Sequence, residues 1–229
     1  MNLKDESLYY LKRIFKHKDI KSKREKVWCN QLYKHKCIFI HIPKTAGISV
    51  SVSLLGKGIG NMSALYYLTL FGKEDFNNYF KFTFVRNPYT RLVSAYEFLK
   101  AGGAGPVDAK NAQAVQPYSN LEDFVITYLT PSTAKVNRYF RPQNQFICDS
   151  DNRILVDYLG RFETIEEDYD YIRNKIGTGE PLQKLNVTKS KKDSMAHYYT
   201  SNDMIEKVIS IYEKDFELLG YSKDLSAIL

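Results

Sequence analysis

The chain of 229 residues carries 33 Lys and Arg against 26 Asp and Glu, a formal charge of +7. At roughly 150 residues per domain, this length holds one large domain or two small ones. A hydrophobic fraction of 44% with 14% aromatic residues supplies apolar surface for a packed core, which excludes a wholly disordered chain. No apolar run approaches the ~20 residues of a membrane-spanning helix. The N-terminus, MNLKDESLYYLKR, is charged from its fourth residue, unlike a secretory leader, so a cytoplasmic location is expected. Cys29, Cys37 and Cys148 are widely spaced without a C-x-x-C pair, and the histidines show no ligand spacing; neither a disulfide framework nor metal chemistry is expected.

Residues 1–36 hold 11 Lys and Arg against 4 Asp and Glu, so the whole excess of +7 sits in this N-terminal arm. The arm mixes Leu8, Leu11, Ile14 and Phe15 with lysines, the composition of an amphipathic helix. From Cys37 onward the texture is that of a single domain, 37–229. CIFIHI (37–42) is a short apolar run ending at Pro43 and predicts a buried strand. A helix is expected over 48–55, ended by the glycines of GKGIG, and another over 62–71. KFTFV (81–85) predicts a second buried strand, followed by a helix from Pro88 to Lys100. The glycine-rich stretch 101–117 predicts a mobile loop.

Ser119-x-x-Glu122 and Thr164-x-x-Glu167 have the form of capping boxes, opening helices near 120–129 and 165–176, with one or two short strands between 154 and 163. Ile205, Val208, Ile209, Tyr212, Phe216 and Leu219 share one face of a terminal helix closed by Gly220. Strands alternating with helices predict an α/β fold: one P-loop-like domain with a mainly parallel central sheet flanked by helices, and a basic N-terminal arm.

Two segments carry chemistry. PKTAGIS (43–49) lies between a strand and a helix, the arrangement that turns backbone N–H groups and a helix N-terminus toward an anion. Lys44 adds a point charge, Thr45 and Ser49 add hydroxyls, and Gly47 allows close backbone approach. In a Walker A loop the lysine follows the glycines, whereas here it precedes Gly47, which disfavours a magnesium nucleotide kinase. The second segment, FTFVRNPYTRLVSAY (82–96), is again strand, turn and helix, with Arg86 at the strand end and Ser94 eight residues on. Arginine offers a forked donor to phosphate, and the serine a further hydroxyl. A plain basic turn at a strand end is the alternative for the first segment, and the second segment weighs against it.

Together, FIHIPKTAGIS and FKFTFVRNPYTRLVSAY resemble the paired signature motifs of sulfotransferases that use 3′-phosphoadenosine-5′-phosphosulfate (PAPS), closest to the carbohydrate-acting branch written HIPKTAG and FVRNPxxRLxSAY. RPQNQF (141–146) and DYLGRFE (157–163) also look similar, so the resemblance spans roughly 37–221 and leaves out the arm. It implies that Lys44, Thr45, Gly47, Ser49 and the intervening amides of Ala46 and Ile48 bind the 5′-phosphosulfate, and that Arg86 and Ser94 bind the 3′-phosphate. Ile48 stands where the family has threonine. Lys189 or Lys191 in TKSKKD (188–193) would close over the 3′-phosphate, a solvated lysine loop being the alternative. Adenosine 3′,5′-bisphosphate would be the product, with no metal required.

In-line transfer builds negative charge on the leaving oxygen, where Lys44 is the candidate catalytic cation. Glu97, three residues after Ser94, is the first candidate base, with His197 and Asp108 as alternatives. His41 reads as a structural histidine. Asn61 stands where many relatives carry a histidine. The acceptor, a carbohydrate or glycolipid, would meet Asp108 in the 101–118 loop and Arg141, Gln143, Asn144 and Gln145. Zero net charge outside the arm argues against a nucleic-acid partner, while the arm suits peripheral contact with an anionic membrane. Two alternatives stay open: a P-loop-type nucleotide kinase, and a non-enzymatic module binding polyanions or membrane through residues 1–36.

Overall fold

The computed structural model describes residues 27–185 and 195–228. Most of the basic arm and the TKSKKD segment, with Lys189 and Lys191, lie outside the described residues. In chain order the elements are α1 (Val27–His35), β1 (Cys37–Ile40), α2 (Gly47–Leu55), α3 (Ala64–Phe71), α4 (Lys73–Asn78), β2 (Phe80–Val85) and α5 (Pro88–Lys100). There follow α6 (Pro106–Ala112), α7 (Leu121–Thr127), α8 (Pro131–Val136), α9 (Asn144–Ile147), β3 (Tyr158–Arg161), α10 (Ile165–Ile176), α11 (Asn202–Ile211) and α12 (Glu213–Leu219). They group into two compact units. The first comprises residues up to Ile42 with Ala46–Phe84 and Gln145–Leu185; the second comprises Pro43–Thr45, Val85–Asn144 and the C-terminal part from Asn186.

The first unit holds the sheet, in the order β1-β2-β3. Strands β1 and β2 pair in parallel from Cys37↔Phe80 to Ile40↔Thr83. Every residue of β1 is buried, the reason its sequence is a continuous apolar run rather than an alternation. Phe39 and Phe82 stack across the pair at 5.0 Å, and Thr83 Oγ1 donates to the Ile40 carbonyl at 2.6 Å. On the β3 side, Gly160 lies flat on Phe84: a Cβ there would stand 2.8 Å from the ring. The last turns of the arm belong to this unit, since Leu32 of α1 is fully buried and Tyr33 stacks on Phe71 at 4.5 Å. The α/β architecture with flanking helices is the one the sequence predicts.

The second unit is built on α5, whose N-cap Asn87 accepts from Tyr89 N–H at 2.9 Å with Pro88 in the first turn. Its core is aromatic, and three of its buried tyrosine hydroxyls find backbone partners: Tyr89 donates to Lys223 O, Tyr199 to Tyr89 O and Tyr212 to Phe140 O, at 2.7–2.9 Å.

Several local expectations need correction. The 101–117 stretch is not all loop: it carries α6, opened by Pro106 and anchored by buried Ala112 and Val115. Asn120, not Ser119, caps α7, because the Asp123 carboxylate takes Ser119's N–H and hydroxyl. Thr164 caps nothing with its side chain, which donates instead to Asp168 at 2.7 Å. The terminal helix is two, α11 and α12, broken at Tyr212 (φ −107°, ψ 19°). The apolar face continues across that one residue, so periodicity alone reads a single helix.

Gly47 opens α2 directly against the buried ring of His41, whose Nδ1 lies 3.0 Å from the Ile59 carbonyl oxygen. A Cβ at Gly47 would fall 1.9 Å from His41 Cδ2. The imidazole behind it is therefore one reason that this position takes glycine. Gly47→Ala should lose about 1–3 kcal/mol of stability by overpacking, read as a lowered urea midpoint; a midpoint equal to the parent's would mean that the ring yields.

Candidate functional site

Residues 43–46 join β1 to α2 by a turn that few side chains favour. Lys44 and Ala46 both have left-handed backbones, φ 71° and 61°, a conformation that disfavours a residue with a Cβ by about 1–2 kcal/mol each. Within the second unit, α5 and the residue row leading into it hold this turn. Arg91, 1% exposed, donates through Nε to the Pro43 carbonyl at 3.0 Å and through Nη2 to the Tyr139 carbonyl at 3.2 Å. Arg86 donates through Nη1 to the Lys44 carbonyl at 3.3 Å and through Nε to Thr90 Oγ1 at 3.0 Å. Both peptides are trans, so C=O and N–H point opposite ways. With two consecutive carbonyls turned to the arginines, the N–H groups of Lys44 and Thr45 are turned away from them. That is how a backbone makes an anion-binding concavity.

The Lys44 side chain ends over the Phe98 ring, Nζ 4.0 Å from the centroid. Burial, with the nearby Arg86 charge adding to it and Asp108 opposing it, lowers the lysine pKa to about 8. Asp108 is itself engaged, accepting from Arg138 Nη2 at 2.7 Å, from the Tyr139 hydroxyl and from Ala104 N–H at 3.2 Å. Burial pushes its pKa up, but the hydrogen bonds from Tyr139, Ala104 and Arg138 outweigh it and leave the carboxyl below the usual range. Asp108 is thus an ionised, weakly basic counter-charge.

Arg86 is positioned in turn. The Gln143 side-chain amide, fully buried, accepts from Arg86 N–H at 2.9 Å and donates to Arg86 O at 2.7 Å. The N–H groups of Gln143 and Asn144 donate to the two oxygens of Asp215 at 2.7 and 2.8 Å. Asp215 is fully buried, and burial pushes its pKa up in spite of these bonds and the Arg91 charge. Sequence reasoning put Gln143 and Asn144 on the acceptor. The structure commits Gln143 to the backbone of Arg86 and leaves Asn144 only 8% exposed.

In the first unit, α2 carries the remaining motif residues. Ser49 Oγ donates to the Leu185 carbonyl and accepts from Leu185 N–H, each at 3.1 Å. A hydroxyl has one proton, and the Leu185 carbonyl takes it here. Ile48 is partly exposed at 39%.

The description "Sulfotransferase family" fits residues 61–222, more than half of the chain. The chain belongs to the sulfotransferase family. Among curated proteins it is similar to carbohydrate sulfotransferase 11 of Danio rerio, 28% identical over 231 residues, covering 82% of this chain and 65% of the relative. Carbohydrate sulfotransferase 14 of the same fish is 23% identical over 225 residues, covering 82% and 60%. Carbohydrate sulfotransferase 10 of Xenopus laevis is 24% identical over 190 residues, covering 66% and 49%. The chain thus spans less than two thirds of the length of these relatives. No solved structure matches it. The family match takes in the Arg86–Ser94 segment and begins after the Lys44 turn.

In this sulfotransferase-family chain, Ser94 and Glu97 are half-buried on α5, one turn apart. Arg141 is half-buried, its Nε donating to Lys135 O at 2.9 Å, and His197 is exposed in a short 3-10 turn. Lys44, Arg86 and Asp108 come together in the second unit, whereas Glu97 is not among the charges acting on Lys44. Among the described residues no cluster suits a metal ion, and no helix is long and apolar enough to cross a membrane. Sequence reasoning missed Arg91, Phe98 and Asp215. A charged residue between Leu92 and Tyr89 on an otherwise apolar helix face was the available signal for Arg91. Gln143→Leu removes both side-chain bonds to the Arg86 backbone and should cost about 2–4 kcal/mol, measured by denaturant unfolding; a loss under half of that would show that water replaces the amide.

Proposed function

We propose that the chain is a PAPS-dependent sulfotransferase acting on a hydroxyl of a carbohydrate or glycoconjugate. The observation that carries this reading is a like-charge pair built into a member of the family. Lys44 and Arg86 are fastened together by the Arg86 Nη1 bond to the Lys44 carbonyl, although their charges repel. The carboxylate nearest in effect, Asp108, is committed to Arg138 and Tyr139. Two cations held close in a member of this family favour a ligand with several negative charges, as PAPS has. The similar proteins are carbohydrate sulfotransferases, which directs the acceptor toward carbohydrate.

PAPS supplies the sulfuryl group on a phosphate leaving group. The N–H groups of the turn and the Thr45 hydroxyl bind the 5′ end, and Arg86 with Ser94 binds the 3′-phosphate. Ala46, Gly47, Ile48 and Ser49 follow in the chain with the N–H groups that a first helical turn leaves unbonded. Lys44 neutralises the charge that develops on the leaving oxygen. Glu97 accepts the proton of the attacking hydroxyl, so that one O–S bond forms as the other breaks. Asp108, held ionised and weakly basic, balances Lys44 rather than taking that proton.

Lys44→Ala should lower kcat for transfer from labelled PAPS to an oligosaccharide panel by about 10²–10³. Arg86→Ala should weaken adenosine 3′,5′-bisphosphate by about 10–100-fold in calorimetry; unchanged affinity would overturn the 3′-phosphate assignment. Lys44 is charged below its pKa of about 8. The kcat/KM profile should therefore fall as pH rises through that value, and Arg86→Ala should move the limb upward by removing a repelling charge. A rate flat from pH 7 to 10 would exclude Lys44 as the cation.

A further inference from the structure

Phe98 lies four residues beyond Ser94 on α5, half-buried, with the Lys44 ammonium 4.0 Å from its ring centroid. Its orientation is set from behind by Tyr139, with ring centroids 5.4 Å apart, and the Tyr139 hydroxyl is anchored on Asp108. The charged groups acting on Lys44 are Arg86, at the end of β2, and Asp108, on α6. One repels the ammonium and the other attracts it while bound elsewhere.

We infer that Phe98 is a positioning residue for Lys44: its ring holds the ammonium beside Arg86 against the repulsion between the two cations. The inference rests on the donor-site reading of Lys44. The negative face of an aromatic ring attracts a cation without neutralising it. A carboxylate in the same place would form an ion pair that an arriving anion must break, and would itself repel that anion. The ring does neither. It stabilises the charged form in a spot where burial and Arg86 both disfavour it, and it fixes where the charge stands before the anion arrives.

The test uses the full chain, Phe98→Leu and Phe98→Tyr. Competitive acetylation with acetic anhydride, followed by mass spectrometry of the Lys44 peptide, reads the lysine's titration directly and without turnover. Leucine keeps an apolar surface but has no ring, so the Lys44 midpoint should fall by about one half to one pH unit. The alkaline limb of kcat/KM should move with it. In the leucine variant kcat at pH 7.5 should drop about threefold to tenfold, with KM for PAPS changed less, and tyrosine should retain the parent's midpoint and rate. An unchanged midpoint in Phe98→Leu overturns the inference, as does an equal fall in Phe98→Tyr. If no sulfuryl transfer is found under any condition and the midpoint still falls in Phe98→Leu, the hold on Lys44 stands and the donor-site reading fails.

Discussion

The carbonyl oxygens of Pro43 and Lys44 each accept from a guanidinium group, and the rest of the site follows from that constraint. A non-glycine residue in the left-handed region needs outside support, and the turn has two, Lys44 and Ala46. Buried Arg91 has the converse need, since a guanidinium away from water must find acceptors for its donors. Each requirement meets the other. The strained turn presents carbonyls where a regular strand or helix would use them internally, and Arg91 takes one of them together with the Tyr139 carbonyl. Asp215 supplies a nearby negative charge while its oxygens hold the N–H groups of Gln143 and Asn144. Removing any one member leaves a buried charge or amide without its partner, which is costlier than the same group was worth in place.

The electrostatics of the site then depend on how unevenly the charge is compensated. The chain outside the arm is formally neutral, with 22 cationic and 22 anionic residues from 37 to 229, yet the immediate surroundings of Lys44 are cationic. Arg86 is tied to the lysine's own carbonyl and Asp108 is drawn toward Arg138 at 2.7 Å. A buried ammonium next to a guanidinium binds its proton less firmly, and this brings Lys44 down to about 8. The same proximity of two cations that weakens its hold on a proton would favour a polyanion beside it. Net charge of the whole chain says nothing of this, because it sums the arm with a domain whose cations are placed one by one.

What was legible in the sequence was whatever local pattern encodes. Continuous apolar runs gave β1 and β2, Pro88 gave the start of α5, and the two motifs marked Lys44 and Arg86. The misses share a cause: they depend on partners distant in sequence. Gln143 and Asn144 look like amides awaiting a ligand until Arg86, 57 residues earlier than Gln143, and Asp215, 72 residues later, are placed beside them. Ser119 resembles a cap until the Asp123 carboxylate takes its hydroxyl at 3.1 Å. Phe98 reads as one more apolar position on α5, because nothing local reveals that Lys44 lies over its ring. Gly47 stands out in the motif, but only the fold reveals the His41 ring behind it.

The proton count at Ser49 bears on how the turn recognises anything. Ser49 gives its only hydroxyl proton to Leu185 O, and one turn later Ser53 Oγ accepts from Gln183 N–H at 2.8 Å. The Ser53 carbonyl takes Glu180 N–H at 2.8 Å as well. The serine row of α2 is therefore a structural seam that holds segment 180–185 to the helix. With these two hydroxyls committed, the first turn of α2 still offers its backbone N–H groups, which every residue other than proline carries. Side-chain identity is demanding where a carbonyl must be pulled back or a charge supplied, at Arg91, Arg86 and Lys44, and permissive where only an amide is offered.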